Sequence, residues 1–290
     1  VDHREALQSL YAEHRFAEAW TLYEVHPQHP DPEWHLLGSL AACRQERWFP
    51  ARDAIEKALA LGADGALQVK IRFQHGFVVR AIGEFALAVS EFTWCLSAIE
   101  GFPDIASVLR GPLHYNRGLA LGSMPDAVGA LAAYEAAAKE FRREGLHEYL
   151  RMCLQNLAWI ACDLRDHDRA EAALSEAAPL CSTESARWHQ RLHLTRLAQV
   201  RGERTEALRL CEWIEKSDSG TVPADVLSLC ACITAEIALD LGLVDLAERT
   251  LGLAFDRAVV SPSDSRCLAV VSKVRQRYVT SRQSQVSSGA

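Results

Sequence analysis

His189 and His193 are the pair best spaced to share a metal ion, because residues four apart lie on one face of a helix. No HExxH motif and no third ligand accompanies them, so structural or surface roles are expected. Cys230 and Cys232 are two apart, a spacing that diverges on a helix, and read as core packing. His26, His29, Asp31 and His35 cluster at a Pro-rich turn and read as a solvated loop rather than a metal site. Asp163, Asp166 and Asp168 fall at a helix end and the turn after it. The later ones suit the positive end of the next helix dipole, and they define no acid–base pair. GxSxG, GxxxxGK[ST] and GxGxxG are all absent. We therefore expect no enzyme, no resident metal and no cofactor.

Composition narrows the class further. The chain has 290 residues, 31 Lys and Arg against 38 Asp and Glu, and a formal net charge of −7. Hydrophobic residues make up 49% and charged residues 24%, the balance of a folded soluble chain. The mild acidity argues against nucleic-acid binding by bulk charge. No run of about 18 apolar residues suggests a membrane span, and the charged N-terminus lacks a signal-peptide core. The nine cysteines are odd in number and form no CxxC pair. They read as reduced small hydrophobes, which points to the cytoplasm.

The elements that must position any site are helices. Ala-rich segments such as 127–139 favour helix, and two-residue alternation is nearly absent. Seven alanines recur in similar contexts: Ala19, Ala51, Ala88, Ala130, Ala170, Ala207 and Ala247. Four residues after them stand Tyr23, Ile55, Phe92, Tyr134, Leu174, Cys211 and Leu251. Seven after them stand His26, Ala58, Cys95, Ala137, Ala177, Ile214 and Ala254. These spacings put all three on one helix face, where the small Ala allows close approach and the larger residue fills the groove beside it. Gly83, Gly202 and Gly242 each precede an alanine by five, where a first helix must turn into a second. The ten prolines fall at or beside the proposed turns.

The expected helix pairs are 2–14/16–26, 32–45/50–60, 65–81/84–99, 112–123/126–143, 147–164/168–178, 183–200/204–216 and 223–240/244–257. A closing helix over 263–280, capped by Ser263, would cover the last pair. An exposed apolar patch on that helix would favour self-assembly through the end of the array. Residues 1–281 form one expected domain, and the polar stretch 282–290 an expected disordered tail.

This pattern resembles the tetratricopeptide repeat, most clearly at Trp34, Leu37 and Gly38. Asn116-Arg-Gly-Leu-Ala and Asn156-Leu-Ala-Trp-Ile resemble the longer-period variety found in bacterial regulators. Several units lack the Trp and the closing Pro. The resemblance implies an all-α, right-handed superhelical solenoid of about seven antiparallel hairpins with a C-terminal capping helix. It also implies that first helices line a concave groove.

Fourteen residues before successive alanines stand Gln74, Asn116, Asn156, His193 and Ile233. Asn116 and Asn156 are the chain's only asparagines. Asn disfavours helix interiors, so its use at two equivalent positions suggests a role. A carboxamide both donates and accepts, so it could clamp a peptide backbone, as related peptide-sensing regulators do. It could equally bridge neighbouring helices of the array. Phe77, Arg80, Tyr115, Trp159 and Arg196 accompany the ladder and could hold peptide side chains or a carboxylate. The leading expectation is a protein- or peptide-binding scaffold. The alternative is the sensor domain of a peptide-responsive transcriptional regulator whose DNA-binding domain is absent from this chain. A homo-oligomer is a further expectation; membrane or direct nucleic-acid partners are not expected.

Overall fold

The computed structural model describes residues 3–217, 220–260 and 265–288. Among the described residues there are fifteen α-helices and no strand. They are α1 (His3–Ala12), α2 (Phe16–Val25), α3 (Pro32–Cys43), α4 (Trp48–Leu61), α5 (Gly65–Ala81), α6 (Phe85–Ala98) and α7 (Pro103–Gly122). After these come α8 (Ala127–Glu144), α9 (His147–Asp163), α10 (His167–Ala177), α11 (Glu184–Val200) and α12 (Arg204–Lys216). The last three are α13 (Ala224–Asp240), α14 (Val244–Val260) and α15 (Ser265–Ser288). Most predicted boundaries fall within two residues of these.

The helix starts follow from local chemistry. Asp31 accepts from Glu33 N–H at 2.9 Å with Pro32 in the first turn, and Asp126 accepts from Gly129 N–H at 2.8 Å. Asp166 and Thr183 cap α10 and α11 in the same way. The sharp turns inside the hairpins share one device. The residue five before the recurrent alanine adopts φ +60°, +57°, +90°, +61°, +84° and +72° at His14, Glu46, Gly83, Arg165, Gly202 and Gly242. Three of these six carry a side chain, so the turn geometry dictates the left-handed conformation even where glycine is lacking. The seventh equivalent is Pro125, whose ring forbids positive φ.

Helix packing divides the chain at that point into two compact units, Val1–Met124 and Pro125–Ala290. The expected pair 112–123/126–143 straddles this division. In the first unit α7 packs on α6 and α5; in the second, α8 packs on α9. Helix α7 also begins at Pro103, nine residues before the expected start, and holds Pro112 in its interior. That corrects the expectation that every proline lies at a turn. Helix α15 runs to Ser288, past the expected end at 280 and into the stretch expected to be disordered. The proposed cap Ser263 lies outside the described residues.

In both units the recurrent alanines form the closest contacts. All seven have no exposed surface, and the seven residues four positions later are all buried. At Gly76 an added Cβ would stand 2.8 Å from the Phe92 ring, so the α5–α6 crossing requires glycine there. In the first unit α3, α5 and α7 are successive first helices, each touching the next. In the second unit α9, α11, α13 and α15 follow one another likewise.

Candidate functional site

In the first unit the ladder position points into the protein. Gln74 is 5% exposed, and its amide donates to Ser39 Oγ at 3.2 Å and Cys43 Sγ at 3.1 Å on α3. It therefore bridges α5 and α3. Burial raises the Cys43 thiol to about 11 against the lowering influence of Gln74 and Ser39, which keeps it protonated at neutral pH. Asn116 is also buried, and its side chain donates to the Pro112 carbonyl at 2.9 Å on its own helix. Its neighbours are more accessible. Phe77 and Arg80 on α5 and Tyr115 on α7 are half-buried. The Arg80 guanidinium lies 5.2 Å above the Phe77 ring, which in turn meets Trp48 at 6.1 Å.

Behind this face lies a charged group that spacing did not reveal. Glu91 on α6 is 7% exposed and contacts His75 Nδ1 at 3.1 Å and Arg72 at 3.0 Å. Burial opposes its ionisation, but His75 and Arg72 outweigh burial and hold the carboxyl below its usual pKa. Arg72 also stacks 4.5 Å from the Trp94 ring. His35, expected in a solvated loop, is 2% exposed. Its Nε2 faces the His29 carbonyl at 2.8 Å, so that nitrogen carries the proton, and Nδ1 accepts from Tyr23 Oη at 2.9 Å. Burial lowers its pKa, in keeping with a neutral ring.

In the second unit, helix α9 is buried around most of its circumference. Asn156 is 8% exposed and Trp159 5%. His193 on α11 is 2% exposed and meets the Trp159 ring edge-on at 5.7 Å. Arg196 lies over the same ring at 5.3 Å. Arg196 pairs with Asp163 of α9 at 2.8 Å, with Glu236 of α13, and with Gln199 Oε1 at 2.7 Å. Burial disfavours its charge, yet Glu236 and Asp163 together hold its pKa above the ordinary value. The guanidinium is thus committed to carboxylates of its own chain. Glu236 in turn meets Arg277 of α15 at 3.6 Å, and Lys273 reaches Asp163 at 3.5 Å.

The result is a ladder of alternating charge across four successive first helices: Asp163, Arg196, Glu236, Arg277. Sequence alignment contains a signal for it. Eleven residues before the recurrent alanines stand Leu40, Phe77, Leu119, Trp159, Arg196 and Glu236. This position is apolar in the early repeats and ionic at the end. A parallel amide chain runs from Arg151 to Gln155 Oε1 at 2.6 Å, then from Gln155 to Gln190 at 3.0 Å and from Gln190 to the Leu174 carbonyl at 2.8 Å. His189 bridges Asp225 at 2.8 Å and the Ser185 carbonyl at 2.8 Å. Among the described residues, no three His, Cys, Asp or Glu side chains gather in a metal-binding arrangement. Among them, too, no helix is long and apolar enough to cross a membrane.

No family model matches the chain, and no curated protein matches its sequence. Solved structures do. A Rap protein complexed with competence and sporulation factor aligns at a TM-score of 0.64 and 12% identity, covering 92% of this chain and 78% of that one. The apo quorum sensor NprR from B. thuringiensis aligns at 0.64 and 12%, over 95% and 86%. A tetratricopeptide repeat protein from Parabacteroides merdae aligns at 0.61 and 13%, over 96% and 100%. At these identities the likeness is one of fold, and the fold is that of the tetratricopeptide repeat proteins.

Proposed function

We propose that the chain is a non-enzymatic scaffold whose first-helix face holds an extended peptide or a segment of a partner protein. The observation that carries this reading is the half-buried stack of Arg80 and Phe77 on α5, whose ladder amide Gln74 is spent inside the array, with Phe77 meeting Trp48 at the start of α4. Ring and guanidinium together suit a ligand carrying apolar and acidic groups. The amide position then fixes the helices, while Phe77, Arg80 and Tyr115 meet the ligand. Asn156, Trp159, His193 and Arg196 serve chiefly to seat α9, α11 and α13. The likeness to a Rap protein complexed with competence and sporulation factor and to a quorum sensor favours a narrower reading, the sensor part of a cytoplasmic peptide-responsive regulator.

The test starts from the intact chain used as bait, with bound segments recovered by limited proteolysis and resynthesised. A segment that binds the wild-type chain and loses affinity with Phe77→Ala and Arg80→Glu supports the proposal. Failure to retain any segment, or binding indifferent to both changes, refutes it.

A further inference from the structure

Two repeats carry the same pairing of arginine and tryptophan. Sixteen residues before the recurrent alanine stand Arg72 in the third repeat and Arg191 in the sixth; six residues after it stand Trp94 and Trp213. No other repeat has an arginine at the first place or a tryptophan at the second. Both pairs form in the structure. The Arg72 guanidinium lies 4.5 Å from the Trp94 ring, and that of Arg191 lies 4.7 Å from the Trp213 ring. In the third repeat the guanidinium also holds a carboxylate. Glu91, three residues after the alanine, meets Arg72 at 3.0 Å, and its other oxygen meets His75, thirteen before the alanine. In the sixth repeat those two places are Leu210 and Leu194. The arginine and the indole are kept, and the carboxylate is gone.

Arg191 is a half-buried cation whose guanidinium makes no hydrogen bond or ion pair with a described residue. It lies 4.7 Å from the Trp188 ring as well, and the two rings stand 5.4 Å apart at 41°, so the guanidinium caps both. The nearby carboxylates are directed elsewhere. Glu206 pairs with Arg209, Glu212 with Lys216, Glu215 with Arg257 and Asp225 with His189. The single carboxylate of α11, Glu184, is two turns away in its first turn. Stacking on ring faces leaves the N–H edges of a guanidinium free for a bidentate acceptor. Beside it, Trp213 and Leu194, one turn along α11, are each 44% exposed. One cation and two exposed apolar side chains fall far short of the roughly 800 Å² that a folded partner or a second copy buries on each side. They suit one acidic residue and an apolar neighbour, carried by a peptide.

We propose that Arg191, held by Trp188 and Trp213, is a binding site for a peptide carboxylate, which takes from outside the place that Glu91 fills within the third repeat. The carboxylate accepts from the guanidinium edge, and an adjacent apolar side chain packs on Trp213 and Leu194. The site is built from α11 and α12 of the second unit and does not depend on the reading of Phe77 and Arg80.

The test titrates the full chain, isotope-labelled, with three peptides and follows the indole N–H resonances of Trp188 and Trp213, assigned from Trp188→Phe and Trp213→Phe. Acetyl-Leu-Glu-Leu-amide offers a side-chain carboxylate, acetyl-Leu-Gln-Leu with a free C-terminus offers a terminal one, and its amide offers none. A carboxylate peptide should shift the Trp213 resonance with an affinity at least roughly ten-fold above that of the neutral peptide. Which of the two does so identifies the carboxylate as side-chain or terminal. Arg191→Gln should abolish the preference. Leu210→Glu should abolish it too, because it restores the carboxylate from within. Phe77→Ala/Arg80→Glu should bind as the wild-type chain does, which separates this site from the one proposed above. Equal shifts with the neutral peptide overturn the proposal, as does no shift with any of the three. So does a preference that survives in Arg191→Gln or Leu210→Glu with a circular dichroism spectrum like that of the wild type. Self-association of the chain that is lost in Arg191→Gln overturns it as well.

Discussion

Arg165 shows how far the repeat constrains a single residue. It holds φ +61° at a turn where three other repeats place glycine. For a residue with a Cβ this conformation costs about 1–2 kcal/mol, part of which is offset by the greater chain entropy that glycine loses on folding. Arg165→Gly should therefore stabilise the chain by about 0.5–1 kcal/mol, read as a higher denaturant midpoint at unchanged slope. A fall in the midpoint would mean that the Arg165 side chain contributes more than its backbone costs. Glu91 gives a second residue-scale expectation. Its pKa is depressed in the folded state, so its stabilisation is present above the unfolded carboxyl value of about 4.3 and is lost as pH falls through the lower folded value. Glu91→Gln should be less stable than the parent at pH 7, and the gap should close on acidification. A gap that stays constant from pH 7 to pH 3 would rule out the carboxylate as its cause.

Among the elements, the second unit depends on ionic contacts between first helices. Glu236 is buried between Arg196 and Arg277 and links three helices. Removing it leaves Arg196 buried with only Asp163 as an ionic partner. Breaking a buried pair in this way costs about 3–5 kcal/mol, and the remaining partner places Glu236→Ala near the lower figure. Thermal unfolding of Glu236→Ala beside Asp240→Ala, whose carboxylate is more exposed, should separate the two. Similar losses in both would show that the ladder is no more than surface pairing.

The helices themselves were largely legible in the sequence, because alanine spacing and glycine or proline at turns both derive from packing constraints. The start of α7 was not legible, since Pro103 and Pro112 each suit a first turn and only the fold shows that the second is internal. The candidate site was less legible still. Counting back from the alanines identifies equivalent positions but not the surface they face. Thus Gln74 is buried against Ser39 and Arg196 is enclosed by Asp163 and Glu236, while Phe77 and Arg80 remain accessible.

For the whole molecule, net charge says little about partners, because cations and carboxylates are spent locally. Arg196 is neutralised inside its unit, whereas the all-cationic α15 leaves Arg275 at the surface of an acidic chain. The two units differ in the same sense: the position eleven before the recurrent alanines is apolar in the first and becomes ionic late in the second. On the proposed reading, a partner is met by side chains that the packing leaves accessible, Phe77 and Arg80 among them. The most direct test is a set of binding isotherms for the recovered partner segment against the wild-type chain, a Phe77→Ala/Arg80→Glu variant and a Gln74→Leu variant. The double variant should lose affinity at least about ten-fold, roughly 1.4 kcal/mol, while folded Gln74→Leu binds within about two-fold of wild type. The opposite pattern, with Gln74→Leu abolishing binding and the double variant unaffected, would make the buried amides the clamp and contradict the account.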